Sequence, residues 1–250
     1  MRVALAVPWI GFDLESNLAT IARLASEAAE AAVDLVLFPE AVTTGLSLTD
    51  RFEDDLALGT TIPGPITDRL GQISRILCVW LGVGFLEREG TRLYDSAVLL
   101  SPDGSLALSY RRIDSHWHAS RVPPNTYCEG SDLGAVDTPL GRLAFAICGD
   151  LFSDEVVERV RAVRPDVILH PMARCFSDGS SSQDRWDGGE VSAYALRARA
   201  AGTLTLTVNY LADVGLGGGG FGGAWVFGPT GAVVDQFPLG REGVLVAELG

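Results

Sequence analysis

A glutamate and a cysteine occupy equivalent places in the two halves of this chain, each directly after an apolar run. Residues 35–38 are typical of a buried strand that a proline ends, so Glu40 is expected at its carboxyl end. Residues 143–147 form a similar run, and a Gly-Asp pair breaks it immediately after Cys148. A thiol is a strong nucleophile as its thiolate, and a nearby carboxylate can accept its proton. The pattern makes Cys148 a candidate nucleophile and Glu40 its candidate base.

Each of these residues also has a purely structural interpretation. Glu40 could cap a helix or form an ion pair, and a lone cysteine is usually a small buried hydrophobe. Cys78, inside an apolar run, fits that description, whereas Cys175 follows a strand less directly and Cys128 has no clear context. The four cysteines occur singly without a CxxC pair, which favours reduced thiols in a cytoplasm.

Three histidines offer a different chemistry, because His116 and His118 form an HxH pair and His170 could complete a three-histidine zinc site. Residues 111–126, however, are predicted to form a polar loop, where solvated or hydrogen-bonding histidines are the favoured interpretation. We therefore expect neither a metal nor a cofactor.

The elements that must position these residues alternate between strands and helices, which indicates an α/β fold. Helices are predicted at residues 18–32, 68–77, 154–163 and 191–201. Strands are predicted at residues 3–7, 35–38, 79–85, 97–100, 106–110, 143–147, 167–170, 204–209, 224–227 and 232–237. Each half ends in a hairpin whose turn contains proline and glycine, so we expect two similar halves that pack sheet against sheet.

Composition narrows the class of protein. The formal net charge is −13, from 32 acidic and 19 basic residues, and all of the basic residues are arginine. The sequence contains no run of basic residues that could follow a phosphate backbone, so nucleic acid is not an expected partner. No apolar stretch approaches the roughly 20 residues that cross a bilayer, so a membrane partner is not expected. With no export signal before the first strand and no long polar linker, we predict one cytoplasmic domain over residues 1–250.

A glycine-rich stretch at residues 215–223 cannot hold a helix and is predicted to be a pliable loop before the last hairpin. It is either an ordinary surface connection or a mobile cover over a pocket. The sequence leaves both open.

Together these segments resemble the nitrilase superfamily of carbon-nitrogen hydrolases, whose members carry Glu, Lys and Cys on strand ends. Residues 35–40 look like the glutamate segment, residues 147–150 are similar to the nucleophile segment, and residues 221–231 resemble the last hairpin. The resemblance implies a four-layer αββα sandwich of two pseudo-symmetric halves, usually a homodimer or a higher homo-oligomer. It also implies that the thiolate attacks an amide or nitrile carbon and that water then hydrolyses the acyl-enzyme.

The same resemblance suggests roles for further residues. The backbone amide of Gly149 is a plausible oxyanion donor, because fixed N–H groups stabilise developing charge in a dry pocket. Apart from the resemblance, Trp117, Phe152 and Met172 are candidates for the lining of a pocket that binds a small-molecule amide, and ordinary packing is the alternative for each. Glu129 is the one acidic residue near the place where many relatives carry a second glutamate, and it receives no role.

The sequence departs from the family pattern at Arg112, which stands where the catalytic lysine is expected. Arginine keeps the positive charge, but its planar fork hydrogen-bonds differently from an ammonium. A bidentate Arg112–Glu40 pair would hold the carboxylate ionised and weaken it as a base. The leading hypothesis is an amidase-type hydrolase of a small non-peptide amide or carbamoyl compound. The rivals are a noncatalytic binding or assembly protein on the same fold and an acyltransferase that uses the same residues.

Overall fold

The structure is a computed structural model, and it describes residues 1–49, 51–119, 122–123 and 125–250. The helices are α1 (Leu14–Glu30), α2 (Phe52–Leu58), α3 (Pro65–Leu77), α4 (Asp154–Val163), α5 (Gln183–Arg185) and α6 (Val191–Ala201). The strands are β1 (Arg2–Val7), β2 (Leu35–Leu37), β3 (Trp80–Glu89), β4 (Arg92–Leu100), β5 (Leu106–Arg111), β6 (Ala135–Thr138), β7 (Gly141–Phe145), β8 (Val167–Met172), β9 (Leu204–Asn209), β10 (Leu211–Ala212), β11 (Gly220–Phe227), β12 (Val233–Leu239) and β13 (Gly243–Glu248). A 3-10 turn spans Cys148–Phe152, and a π-helical segment at Trp186–Glu190 joins α5 to α6.

The strands form two sheets with related plans. The first has the order β13-β1-β2-β3-β4-β5, and the second has the order β10-β11-β9-β8-β7-β6 with β12 paired to β11. Strands β1, β2 and β3 run parallel in the first sheet, as do β7, β8 and β9 in the second. Polar residues that follow parallel strands therefore gather at the carboxyl edge of each sheet.

The two sheets pack face to face and helices cover their outer faces. Alternate residues of β1 show this division, because Val3, Leu5 and Val7 pack between the sheets while Ala4 and Ala6 face the helical side. Helices α1 and α3 cover the first sheet, and α4 and α6 cover the second. The predicted αββα sandwich is confirmed.

Several predicted bounds are confirmed, and the departures have local causes. Helices α4 and α6 and strand β9 have the predicted bounds, but α1 begins at Leu14 because Asp13 accepts a hydrogen bond from the Ser16 amide (2.8 Å) and caps the helix. The predicted loop at residues 215–223 is wrong in its second part, which belongs to β11. Gly222 and Gly223 have φ values of +74° and +89° there, which glycine adopts readily.

The remaining differences concern elements whose patterns are short. Helices α2 and α5 and strands β6, β10 and β13 were not predicted from the sequence. Of the predicted polar loop at residues 111–126, Arg111 ends β5, residues 120, 121 and 124 lie outside the described residues, and the described rest consists of turns and irregular backbone. Among the residues that the structure describes, no helix is long and apolar enough to span a bilayer.

Candidate active site

Glu40 lies just beyond the carboxyl end of β2 and is fully buried. The neighbouring strand approaches very closely, because a Cβ added at Gly84 of β3 would lie 2.6 Å from the Glu40 Cα atom. Ala41 then turns the chain with a left-handed φ of +44°. The end of the apolar strand and the glycine beside it hold the carboxylate inside the protein at the sheet edge.

Cys148 begins the 3-10 turn that follows β7, and it is partly exposed. Its φ of +44° lies in the left-handed region, which costs a non-glycine residue roughly 1–2 kcal/mol. The carbonyl oxygen of this strained residue lies 3.1 Å from Nε2 of His170, whose Nδ1 lies 3.0 Å from the Thr207 hydroxyl. Such a contact supports a backbone conformation that the chain alone would not favour.

Arg112 follows β5 and places its guanidinium among three carboxyl groups. Nη1 lies 2.9 Å from Oε1 of Glu40 and 3.4 Å from Oδ2 of Asp95, while Nη2 lies 3.0 Å from Oδ1 of Asp114. Arg112 and Glu40 do not form a bidentate pair, since Oε2 of Glu40 accepts no hydrogen bond from the described residues. The guanidinium is instead shared, because its two terminal nitrogens point to different acceptors.

The buried charges around Nη1 do not balance. Burial raises the pKa of Glu40 to about 8, the adjacent Cys148 sulfur adds to the rise, and Arg112 opposes it. Burial and the neighbouring Glu40 raise the pKa of Asp95 well above its usual range. Two buried carboxyl groups therefore face one cation, and burial raises the proton affinity of both.

Asp150 connects the cysteine turn to the segment after Arg112. Its Oδ1 accepts from the backbone amides of Ile113 (3.1 Å) and Asp114 (2.8 Å). Its Oδ2 accepts from the backbone amide of Ile147 (2.9 Å) and from the hydroxyl of Tyr110 (2.7 Å). One fully buried carboxylate thus fixes the nucleophile turn relative to the arginine segment.

A cavity of about 410 Å³ opens at this edge, and Cys148, Gly149 and Arg112 line it. Phe152, Arg174 and Tyr194 contribute to its wall. Phe152 therefore lies where the sequence predicted. Trp117 and Met172 do not, because both are buried in the packed interior behind the wall.

Trp117 is 4% exposed and packs edge-on against Tyr127, in a cluster under residues 41–58. Met172 is fully buried in the cluster beneath α6, next to Trp186 and Trp225. Both large side chains follow or end strands, and they fill the core instead of facing the cavity.

Sequence reasoning missed Arg174 as part of the cavity wall. The backbone amide of Arg174 donates to Oδ1 of Asn209 (3.0 Å), and Nδ2 of Asn209 donates to the Arg174 carbonyl (2.9 Å). Its guanidinium lies 3.3 Å from Glu190. The available signal is Asn209, a polar residue at the end of the predicted strand at residues 204–209, since its buried amide fixes the neighbouring strand end.

The histidines and Glu129 have protein partners. His116 Nδ1 lies 2.9 Å from Asp114 Oδ2, and His118 Nε2 lies 2.9 Å from Glu129 Oε1. His170 lies in the second sheet, away from that pair, and supports the backbone of Cys148. The described contacts of Glu129 are thus outside the Arg112 carboxylate group.

Nearly the whole chain matches one protein family. The model of the carbon-nitrogen hydrolase family matches residues 2–250. The chain belongs to the carbon-nitrogen hydrolase family. Glu40, Arg112 and Cys148 all lie within the region that matches this family.

Curated relatives of this chain include nitrilases. A bifunctional nitrilase/nitrile hydratase of Nicotiana tabacum is 31% identical over 154 residues, which cover 56% of this chain and 44% of that protein. A nitrilase of Pyrococcus abyssi is 30% identical over 160 residues, covering 63% of this chain and 58% of that protein. The chain spans about half the length of these curated relatives.

Solved structures of similar proteins share the fold of this chain over nearly its whole length. A carbon-nitrogen hydrolase of Helicobacter pylori G27 has a TM-score of 0.83 at 20% identity, covering 99% of this chain and 88% of that one. A mutant of the amidase from Nesterenkonia sp. AN1 has a TM-score of 0.81 at 21% identity, covering 100% of this chain and 90% of that one. In that amidase structure the acetamide moiety of fluoroacetamide is covalently added at the active site cysteine.

Proposed function

We propose that this protein is a thiol-dependent hydrolase of the carbon-nitrogen bond in a small non-peptide amide or carbamoyl compound. The observation that carries the proposal is the position of Cys148 on a cavity wall beside Arg112, with the buried Glu40 carboxyl bonded to that arginine. The likeness to an amidase whose active site cysteine, in a mutant form, is covalently modified by fluoroacetamide supports a nucleophilic role for Cys148.

In the proposed reaction the Cys148 thiol gives its proton to Glu40, and the sulfur forms a bond to the amide carbon. The tetrahedral intermediate then collapses as its C–N bond breaks, and Glu40 returns the proton to the nitrogen, which leaves as ammonia. Water attacks the remaining thioester while Glu40 accepts its proton. The C–S bond then breaks and Glu40 returns that proton to the sulfur, which releases a carboxylic acid and restores the free thiol.

Gly149 and Arg112 are the proposed groups that stabilise the oxyanion. The Gly149 amide is the second N–H of a 3-10 turn, and such turns leave their first amides without an internal acceptor. Arg112 Nη2 carries two hydrogens, of which Asp114 takes one. Donors fixed before the reaction begins lower the barrier most effectively.

The test is ammonia release from a panel containing acetamide, acrylamide, an N-carbamoyl compound and acetonitrile. The wild-type protein is compared with Cys148→Ala and with Cys78→Ala, a matched control because Cys78 is exposed and lies at the end of α3. We expect amide turnover that the Cys148 change abolishes and the Cys78 change leaves intact. Turnover by Cys148→Ala would refute the proposal.

Other outcomes of this panel select the rival functions. Silence of the wild type on every compound, with slow labelling of Cys148, would favour a binding or assembly role. Hydroxylamine added to the reaction traps an acyl-enzyme as a hydroxamate, and a strong preference for that product over the acid would favour acyl transfer.

We further propose that residues 1–250 fold as a single unit and that the protein is a cytoplasmic homodimer. Sedimentation of the purified protein measures the oligomeric state, and a single cooperative urea transition is expected of one folding unit.

A further inference from the structure

Gly149 is a glycine for reasons of space. Its φ lies outside the left-handed region, so the backbone there accepts any L residue. A Cβ at this position would nevertheless lie 2.3 Å from Oδ1 of Asp114 and 2.4 Å from Nη2 of Arg112. Real Cβ atoms essentially never approach other atoms within 3.0 Å. The Arg112–Asp114 ion pair therefore occupies the space that a side chain at position 149 would need.

The acceptors around Arg112 are arranged for a forked cation. Glu40 and Asp95 lie at Nη1, whereas Asp114 lies at Nη2. An ammonium concentrates its donors on one nitrogen, while a guanidinium places them on a rigid plane with separated ends. A single nitrogen at the Nη1 position would leave Asp114 without its cation, and one at the Nη2 position would leave Glu40 without its own.

Neither side of this contact can easily move away. The Arg112 side chain is 3% exposed, and its backbone amide donates to the Asp95 carbonyl (2.8 Å). The backbone amide of His116 donates to the Asp114 carboxylate (3.1 Å), and the backbone amide of Asp114 donates to Oδ1 of Asp150 (2.8 Å), so both ends of Asp114 are fixed. A side chain at position 149 would therefore displace the guanidinium itself.

We propose that this site is built for a guanidinium, with Gly149 and Asp114 as the positioning residues that admit Arg112 and orient it beside Cys148. Arg112 is accordingly a working group of the site and not the remnant of a lost lysine. The inference rests on the proposed function, because it assigns these residues to the same reaction.

The test is a double-mutant cycle on the full chain with Gly149→Ala, Arg112→Lys and the double variant. Two rates are measured for each protein. The first is the rate of ammonia release from the best amide. The second is the rate at which acrylamide alkylates Cys148, monitored by intact-protein mass spectrometry with Cys148→Ala as the blank. Gly11→Ala is the matched glycine control, since a Cβ there meets nothing within 4 Å.

We expect Gly149→Ala to lower kcat/KM by about 100-fold, as a displacement of roughly 1 Å in a catalytic group can do. Arg112→Lys should also lower it, because one nitrogen cannot serve both ends of the acceptor set. In the Arg112→Lys background the cost of Gly149→Ala should shrink by more than about tenfold, which is the coupling that neighbouring residues show. Equal costs in both backgrounds, or higher activity for Arg112→Lys, would overturn the proposal.

Urea unfolding of each variant shows whether Gly149→Ala folds. If it folds poorly, Asp114→Asn tests the same inference. It removes the charge at Nη2 without adding volume. We expect it to slow Cys148 alkylation by about tenfold in the wild-type background and to have little effect in the Arg112→Lys background. If the wild type hydrolyses no amide, the proposed function fails, and the alkylation cycle still decides the role of Gly149 and Asp114.

Discussion

Replacing Asp150 by asparagine tests the link between the nucleophile turn and the arginine segment. The carboxylate accepts three backbone amides and the Tyr110 hydroxyl. In Asp150→Asn an NH2 group takes the place of one oxygen. The Tyr110 hydroxyl can rotate to accept from it, but the Ile147 amide loses its acceptor.

A buried donor without an acceptor costs about 1–3 kcal/mol, and the other bonds lose the contribution of the charge. The gain from no longer burying a charge offsets part of this loss, since burial raises the pKa of Asp150. We therefore expect the free energy of unfolding to fall by roughly 2–3 kcal/mol. Urea denaturation followed by tryptophan fluorescence measures the change.

Tyr110→Phe is the matched control, because it removes one of the four bonds and leaves the carboxylate in place. It should cost about 1 kcal/mol. We also expect kcat/KM of Asp150→Asn to fall further than that of Tyr110→Phe, since Ile147 directly precedes Cys148. A loss in Asp150→Asn no larger than that in Tyr110→Phe would refute the reasoning, because the backbone bonds would then contribute nothing.

Three further predictions concern the proposed chemistry. Because Glu40 has a pKa of about 8, its base form grows as pH rises, so kcat/KM should increase with pH and level off above 8; a flat profile from pH 5 to 9 would contradict this. His170→Leu removes the support of the Cys148 carbonyl and should slow its alkylation, while Thr207→Val, which alters only the far side of the imidazole, should have the smaller effect; equal rates would remove His170 from the site. Phe152→Ala should raise KM with little change in kcat, because Phe152 lies on the cavity wall, and steady-state kinetics with an unchanged KM would exclude it from substrate binding.

Much of the fold follows from local patterns that the sequence displays. Helix α4 carries the expected apolar periodicity, and the apolar runs before Glu40 and Cys148 overlap strands β2 and β7, which end at Leu37 and Phe145. Strand β13 is different. Only Leu245 and Ala247 of its six residues are well buried, and it pairs with β1 from the opposite end of the chain, so its register depends on long-range contacts.

The acidic residues of the site could not be predicted in the same way. Asp95 lies within β4, and Asp114 lies in an irregular segment, with no apolar run or turn signal that marks either as functional. Charged residues are usually solvated, so sequence alone favours an exposed position for each. Their convergence on Arg112 depends on the pairing of β4 with β5 and on the Asp150 bonds, which no local pattern encodes.

The charge balance of the site bears directly on the proposed reaction. Asp150 is satisfied by four donors, whereas Glu40 and Asp95 share one nitrogen of Arg112 and each retains an oxygen without a partner among the described residues. Two buried carboxylates cannot both ionise against one cation without a large desolvation cost. This arrangement favours the protonated form of one member of the pair and raises the proton affinity of Glu40 next to the Cys148 sulfur. Cleavage of an amide needs a proton on the departing nitrogen, and a carboxylate of raised proton affinity suits the proposed transfer of the Cys148 proton to that nitrogen.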